Sequence, residues 1–157
     1  LGCGTGQPIA AYVLSRGYHI IGVDQAENLL AIAQNAFPQE TWIHSAMETY
    51  DFRHSYSSVI LWDSLFHIQR SHHEPILAKA IAHLPVGGRL MLTVGGSDHP
   101  AFTDFMFGQE FFYDSNTPEQ TEEMLQRLSC RIAISEFMNQ PTDGRDKGRY
   151  AIVAEKV

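Results

Sequence analysis

The chain opens on Leu1-Gly2-Cys3-Gly4-Thr5-Gly6, and an aspartate, Asp24, follows eighteen positions after the last of these glycines. Glycines at alternate positions before a helix allow backbone amides to approach a ligand that a Cβ atom would hold away. Helical sequence follows from Gln7 to Arg16 and ends at Gly17. The loop predicts half of a nucleotide-binding site, although three glycines alone also suit a simple turn.

The second half of this site is the strand that leads to Asp24. Tyr18 to Val23 is an apolar run with β-branched residues, which is typical of a buried strand. The carboxylate of Asp24 at its end can accept hydrogen bonds from both hydroxyls of a ribose, so the spacing favours an adenosine site. Capping of the following helix is the alternative role for Asp24.

The loop resembles the first motif of class I S-adenosylmethionine-dependent methyltransferases, in which glycines alternate as glycine-x-glycine-x-glycine. Dinucleotide-binding dehydrogenases instead have glycine-x-glycine-x-x-glycine, with the third glycine beneath a pyrophosphate. This chain has Gln7, Pro8 and Ile9 in that region, which favours a ligand without phosphates. The resemblance implies S-adenosylmethionine as cofactor and methyl transfer to a small-molecule acceptor.

Helical and strand segments alternate along the chain, which predicts an α/β fold with a Rossmann-like, doubly wound mixed sheet. The turn Pro85 to Gly88 precedes a buried strand, as in the methyltransferase fold. The last two strands, Arg131 to Met138 and Arg149 to Val157, are too close in sequence for a crossover helix, so we expect a C-terminal antiparallel strand, as in the resembled family. The other predicted helices cover residues 28–37, 72–84 and 117–128, and the other strands cover residues 41–44, 58–62 and 89–94.

We expect one S-adenosylmethionine-binding methyltransferase domain, residues 1–157, that is truncated at its N-terminus. Only Leu1 remains of the strand that runs into the glycine loop in the resembled fold, so the first strand is largely missing. In the resembled family, an insertion at the position of residues 95–116 lies over the active-site edge. Within this segment, Tyr113 is the candidate substrate-binding residue, because its ring carries a hydroxyl. An apolar flap and a homodimer contact are the alternatives. The insertion contains Phe102, Phe105, Met106, Phe107, Phe111, Phe112 and Tyr113.

The resemblance also implies which residues bind the cofactor. The loop residues are Gly2, Cys3, Gly4 and Gly6. Asp24 would bind the ribose with Gln25 beside it, and Leu29 would lie against the adenine. Ala46 stands where many members of the family carry an aspartate that accepts the adenine amino group, so this chain departs from the pattern. Met47 is expected to pack on the adenine ring or, alternatively, to be plain core.

The segment from Trp62 to His67 follows a strand at the carboxyl edge, where ligands of open α/β sheets bind. By resemblance, Trp62 is assigned to the cofactor and Phe66 to the substrate. Because a sulfonium methyl is already activated, the protein mainly aligns the reactants and removes a proton. Asp63 and His67 are the candidate catalytic groups, with Asp63 orienting the imidazole across four positions. A packed or surface histidine is the alternative.

Composition limits the classes of function. The chain has 157 residues, 44% hydrophobic and 18% charged, which suits one soluble domain with its own core. A formal charge of −7 disfavours a nucleic-acid substrate, because binding phosphates needs a basic surface. No segment is long and apolar enough for a membrane. The two cysteines, Cys3 and Cys130, form no disulfide or zinc pattern and favour the cytoplasm.

Two groups of polar residues are interpreted as non-catalytic. The neighbours His72-His73-Glu74 point in different directions on a helix, so we expect a solvated helix start there and no metal site. We favour a solvated turn over an anion site for the basic residues Arg145, Lys147 and Arg149.

Two other functions stay open at this point. A nicotinamide-dependent oxidoreductase, using NAD(P), would also use the glycine loop and Asp24, but it needs the missing third glycine and usually lacks the terminal antiparallel pair. A non-catalytic module that binds the cofactor, or nothing, is the second alternative. Ala46 and the missing first strand support that module.

Overall fold

Short helices and strands alternate along the chain in a computed structural model that describes residues 1–106 and 108–157. Phe107, which belongs to the aromatic segment, lies outside the described residues. The packing divides the chain into two units, residues 1–51 and 52–157. In chain order the elements are α1 (Ile9–Ser15), β1 (Ile21–Asp24), α2 (Glu27–Ala36), β2 (Thr41–His44), β3 (Ser58–Leu61), α3 (His73–Ala82), β4 (Arg89–Gly95), β5 (Phe102–Met106), β6 (Gln109–Tyr113), α4 (Pro118–Arg127), β7 (Cys130–Asn139) and β8 (Arg149–Lys156).

The first unit is built on a β-α-β motif. Strands β1 and β2 pair in parallel, with Asp24 opposite His44, and α2 connects them. Helix α2 buries Leu30 and Ala33, three positions apart on one face. Because the strands are parallel, their carboxyl ends share an edge, and the amide of Ser45 donates to the carbonyl of Asp24 at 3.0 Å. The motif therefore brings Asp24 and the residues after β2 to one edge.

A tryptophan covers the backbone of β1. Gly22 pairs with Trp42, and a Cβ atom at Gly22 would lie 2.4 Å from Cε3 and Cζ3 of the indole and 2.9 Å from Sγ of Cys3. The indole is held in place because its Nε1–H donates to the carbonyl of Phe37 at 3.1 Å. Glycine is therefore required at position 22 by close packing.

The second unit is built on a four-stranded mixed sheet in the order β3-β4-β8-β7. Strands β3 and β4 are parallel, whereas β8 is antiparallel to both β4 and β7. The predicted antiparallel end of the sheet is therefore confirmed. Strand β4 forms the centre of the core, since Leu90, Leu92 and Val94 are fully buried. Helix α3 buries an apolar face that includes Leu77 and Ala80.

Residues 95–116 contain a β-hairpin that the sequence analysis does not predict. Strands β5 and β6 are antiparallel, with Phe102 opposite Tyr113. The alternation that would indicate strands is obscured because polar and aromatic side chains occur on both faces of this hairpin. The segment is thus a defined element of the second unit.

Local sequence signals account well for the final helix. Thr117 and Gln120 form the predicted capping box: Thr117 Oγ1 accepts from the amide of Gln120 at 3.2 Å, and Gln120 Oε1 accepts from the amide of Thr117 at 3.0 Å. Pro118 occupies the start of α4, where a missing N–H costs nothing. Among the described residues, no helix combines the length and hydropathy that crossing a bilayer requires.

The Gly22→Ala variant tests the contact between β1 and Trp42. We expect a loss of about 1–3 kcal/mol in the free energy of unfolding, because the new methyl group overlaps the indole. Gly144→Ala is the matched control, since its Cβ atom would lie no closer than 3.7 Å to Thr142 Oγ1. Urea denaturation measures both variants. Equal stability of the two would contradict the packing described for Gly22.

Candidate active site

The glycine loop continues from the end of β1. Gly2, Gly4 and Gly6 have φ angles of 66°, 53° and 79°, which other residues rarely adopt. The amides of Gly2 and Cys3 donate to the carbonyl of Val23 at 2.7 and 3.1 Å, and the amide of Gly6 donates to the carbonyl of Cys3 at 3.0 Å. These three amides are therefore used to shape the loop.

The glycines differ in what surrounds them. A Cβ atom at Gly6 would meet Trp42 Cη2 at 3.1 Å and Phe37 at 3.3 Å, so this glycine is required by packing. A Cβ atom at Gly4 would have no neighbour within 4 Å in the described part of the chain. The backbone at Gly4 therefore faces open space, where a ligand can approach it.

Asp24 ties the loop to β1 and to the start of α2. Its Oδ2 accepts from the amide of Gly4 at 2.7 Å, and its Oδ1 accepts from the amide of Ala26 at 2.9 Å. The side chain thus supports the helix start and the loop together. A carboxylate offers about four acceptor positions, so roughly half of them stay free for a ligand.

The other predicted cofactor residues of the first unit differ in exposure. Gln25 is exposed, and its carbonyl accepts from His44 Nε2–H at 3.0 Å. Leu29 is 38% exposed, whereas Met47 is only 8% exposed. Ala46 is half-buried, and its carbonyl accepts from the amide of Tyr50 at 3.0 Å. The exposed apolar surface at this edge is therefore contributed by Leu29.

Thr5, between Gly4 and Gly6, is a candidate ligand-binding residue that the sequence analysis does not name. In the described structure, neither the amide nor the hydroxyl of Thr5 has a hydrogen-bond partner. Both groups are therefore available to a ligand.

Burial raises the pKa of the Cys3 thiol to about 11, so Cys3 stays protonated at neutral pH and is no nucleophile.

A cavity of about 560 Å³ lies within the second unit. Its walls come from the segment after β3, from the β5–β6 hairpin and from residues 145–149. This volume is in the range typical of small-molecule sites. Five aromatic rings line it: Phe66, His67, His99, Phe102 and Tyr113.

Asp63 is held rigidly at the edge of this cavity. It has a φ of 48°, in the left-handed region. Its amide donates to Thr93 Oγ1 at 2.7 Å, and the hydroxyl of the fully buried Thr93 donates to Asp63 Oδ1 at 3.1 Å. Arg149 Nη1 lies 2.8 Å from Asp63 Oδ2. Both oxygens of this carboxylate are therefore engaged.

The orientation of His67 is set by the hairpin. His67 Nδ1–H donates to the carbonyl of Phe112 at 2.9 Å, which leaves Nε2 as a proton acceptor. The expectation that Asp63 orients the imidazole is wrong. Leu65–His67 is a 3₁₀ turn and not an α-helix, so positions four apart do not share a face, and Asp63 bonds to Thr93 and Arg149 instead.

Tyr113 is the centre of an aromatic wall. Its ring lies 5.1 Å from that of Phe102 at 12° and 6.2 Å from that of Phe66 at 21°, so the three rings are nearly parallel. The imidazole of His67 lies 4.8 Å from the same ring. Burial raises the pKa of Tyr113, so its hydroxyl stays protonated and can donate a hydrogen bond.

Arg145, Lys147 and Arg149 also line the cavity, although the turn is solvated as expected at Arg145, whose side chain is 72% exposed. The carbonyl of Lys147 accepts from the amide of Gly96 at 3.1 Å and from Ser97 Oγ at 2.9 Å, so this segment is docked on the end of β4. Arg145 and Arg149 contribute to the same wall. Sequence reasoning missed this because the contacts join positions about fifty residues apart.

The solvated helix start expected at the beginning of α3 is found for His72 and Glu74, which are exposed, but not for His73. His73 is 1% exposed, and its Nε2–H donates to the carbonyl of Ile68 at 3.0 Å. Burial lowers its pKa, so the ring is neutral in the core. No group of three or more metal-ligating side chains converges anywhere in residues 1–106 and 108–157.

Comparison with protein-family models gives a match over residues 1–88 to a family described as methyltransferase domain. The match spans more than half of the 157 residues and includes the glycine loop and Asp24. This chain belongs to the methyltransferase-domain family. The resemblance to class I S-adenosylmethionine-dependent methyltransferases is thereby confirmed, and no match supports the oxidoreductase or the non-catalytic module.

Solved methyltransferase structures share the fold. A SAM-dependent methyltransferase from Methanosarcina mazei has 18% identity and a TM-score of 0.82, covering 99% of this chain and 90% of that chain. Magnesium protoporphyrin IX methyltransferase from Synechocystis, with bound SAM, has 16% identity, a TM-score of 0.76 and coverages of 99% and 67%. A 1,6-didemethyltoxoflavin-N1-methyltransferase from Burkholderia thailandensis, with bound 1,6-didemethyltoxoflavin and S-adenosylhomocysteine, has 22% identity and a TM-score of 0.75. The match covers 99% of this chain and 68% of that chain. No curated protein gives a significant match.

Each unit of the methyltransferase carries its own group of predicted site residues. Residues 1–51 carry the loop and Asp24, and residues 52–157 carry the cavity. The cavity includes Asp63, Phe66, His67 and Tyr113 of the predicted site residues. Trp62 is half-buried and is not part of the cavity wall.

Proposed function

We propose that this methyltransferase takes its methyl group from S-adenosylmethionine and transfers it to a small-molecule acceptor. The observation that carries the proposal is the Asp24 carboxylate, which lies 2.7 Å from the Gly4 amide beside an open stretch of loop backbone. The family match spans both features. The bound SAM and S-adenosylhomocysteine of two similar structures support the same cofactor.

The described residues of the first unit fit an adenosine. The free acceptor positions of Asp24 suit the two ribose hydroxyls, and Gln25 lies next to it. Leu29 offers exposed apolar surface to a base, with Ala46 and Met47 at the same edge. The cofactor lies against the loop backbone, which consists of Gly2, Cys3, Gly4 and Gly6. Thr5 adds an amide and a hydroxyl that are unpaired in the described structure.

When bound, S-adenosylmethionine supplies an activated methyl group that an acceptor lone pair attacks, so that the S–CH₃ bond breaks and a neutral thioether is left. The protein itself then has to position the acceptor and to receive its proton. His67 suits the second task, because its Nδ1–H is fixed on Phe112 and its Nε2 can accept a proton inside the cavity. Asp63, engaged by Arg149 and Thr93, suits positioning.

Aromatic residues of the second unit surround the acceptor in this proposal. Phe66 and Tyr113 hold the acceptor, with the hairpin of residues 95–116 as its cover, and Trp62 lies at the cofactor side. The chain acts as one Rossmann-like, doubly wound domain, supported by the parallel β1–α2–β2 and β3–α3–β4 units. Two free cysteines support a cytoplasmic enzyme.

The Asp24→Ala variant tests the cofactor assignment. We expect its affinity for S-adenosylhomocysteine to fall by about 1–3 kcal/mol, because the ribose loses its acceptors and the loop loses its tie to β1. Asp51→Ala, which removes an exposed carboxylate from the same unit, is the matched control and should bind normally. Calorimetric titration measures both. Unchanged affinity of Asp24→Ala would contradict the assignment.

The His67→Asn variant tests the proton acceptor. Its amide can still donate to the Phe112 carbonyl but cannot take a proton, so we expect kcat to fall about 10²–10⁴-fold with any acceptor that the wild-type protein methylates. Affinity for S-adenosylhomocysteine should stay the same. His72→Asn, an exposed histidine outside the cavity, is the control. A kcat of His67→Asn within a factor of about three of the control would remove His67 from the chemistry.

A further inference from the structure

The carboxylates that line the cavity are already engaged. Asp63 pairs with Arg149, Asp104 with Arg145, and Asp114 with Arg70. The fourth, Asp146, accepts from Asn139 Nδ2 at 3.1 Å and from the amide of Gly148 at 2.9 Å. Three of these four carboxylates are therefore already neutralised by an arginine, which leaves little unbalanced negative charge for a cationic ligand.

Lys147 differs from the other cations of the cavity. Among the residues that the structure describes, its ammonium group pairs with no carboxylate and donates only to the carbonyl of Gly144, at 3.1 Å. An ammonium has three donors, so about two are left for a ligand. Its backbone is held by Gly96 and Ser97, so the charge is carried by a docked segment. Lys147 is thus a cation of this cavity that an anionic group can approach without breaking an ion pair.

The aromatic wall of Phe66, Phe102 and Tyr113 gives the cavity an apolar surface in addition to the charge of Lys147. Phe66, Tyr113 and Phe102 present nearly parallel rings, and His67 lies against Tyr113 with its Nε2 free to accept. These rings stack on one another, and a further flat ring can extend such a stack. With about 560 Å³ available, the cavity has room for a ligand of one or two rings.

From these three observations we propose that the acceptor is a planar aromatic acid. Its ring stacks on the wall formed by Phe66, Phe102 and Tyr113, and its carboxylate binds the ammonium of Lys147. A hydroxyl or amine N–H on the ring donates to His67 Nε2. During transfer a lone pair of that oxygen or nitrogen forms the bond to the methyl carbon, the S–CH₃ bond breaks with its electrons on sulfur, and the proton moves to Nε2. The inference rests on the proposed function and specifies its substrate class.

Three phenols of similar size test this substrate class by binding: para-hydroxyphenylpropionate, para-hydroxyphenylpropionamide and tyramine. They share a ring and end in a carboxylate, a neutral amide and an ammonium group. Calorimetric titration of the full chain, with and without S-adenosylhomocysteine, gives each affinity. We expect the acid to bind about tenfold tighter than the amide and tyramine to bind weakest.

The Lys147→Met variant then locates the carboxylate. We expect it to lose about tenfold in affinity for the acid and to keep its affinity for the amide. Arg127→Met, which removes an exposed cation from α4, is the matched control and should leave both affinities unchanged. Thermal denaturation of both variants checks that they are folded.

The outcomes separate the substrate class from the proposed function. Equal binding of acid and amide, tighter binding of tyramine, no binding of any of the three, or an acid affinity unaffected by Lys147→Met overturns the aromatic-acid inference. If S-adenosylhomocysteine binds in the same experiments, the proposed function still stands. Failure of S-adenosylhomocysteine to bind overturns the proposed function, whatever the three phenols do.

Discussion

The hydrogen bond from the Gly4 amide to Asp24 is the contact on which the first unit depends. It joins the glycine loop to the carboxyl end of β1, and the other oxygen of the same carboxylate holds the turn into α2. Asp24 lies at the end of β1, and β1 is held in position because Gly22 allows Trp42 to pack directly on the strand backbone. One side chain therefore shapes the loop and, in the function that we propose, offers acceptors to a ribose.

The second unit fixes its polar groups by the same kind of contact between distant segments. The buried Thr93 and Arg149 hold Asp63, and the Phe112 carbonyl holds His67. The segment around Lys147 is docked on the end of β4. Asp63 and His67 are thus positioned by residues of strands β4, β8 and β6, which keeps their geometry ready for a ligand.

Local patterns in the sequence predict much of the fold but only part of the candidate site. The capping box of α4 and the short link before β8 act within a few residues, so the helix and the antiparallel pair can be read directly. The bond between His67 and Phe112 joins positions 45 apart, and that between Ser97 and Lys147 joins positions 50 apart. No local pattern records such contacts, which is why the wrong partner was expected for His67 and a solvated turn for Lys147.

Calorimetric titration of the protein with S-adenosylhomocysteine, S-adenosylmethionine and NADH is the most direct test of the central claim, that the loop and Asp24 form a cofactor site for a sulfonium compound without phosphates. The account predicts saturable binding of S-adenosylhomocysteine and S-adenosylmethionine with one site per chain, and no heat from NADH. Binding of NADH in place of the other two, or no binding of either sulfur compound, would contradict it.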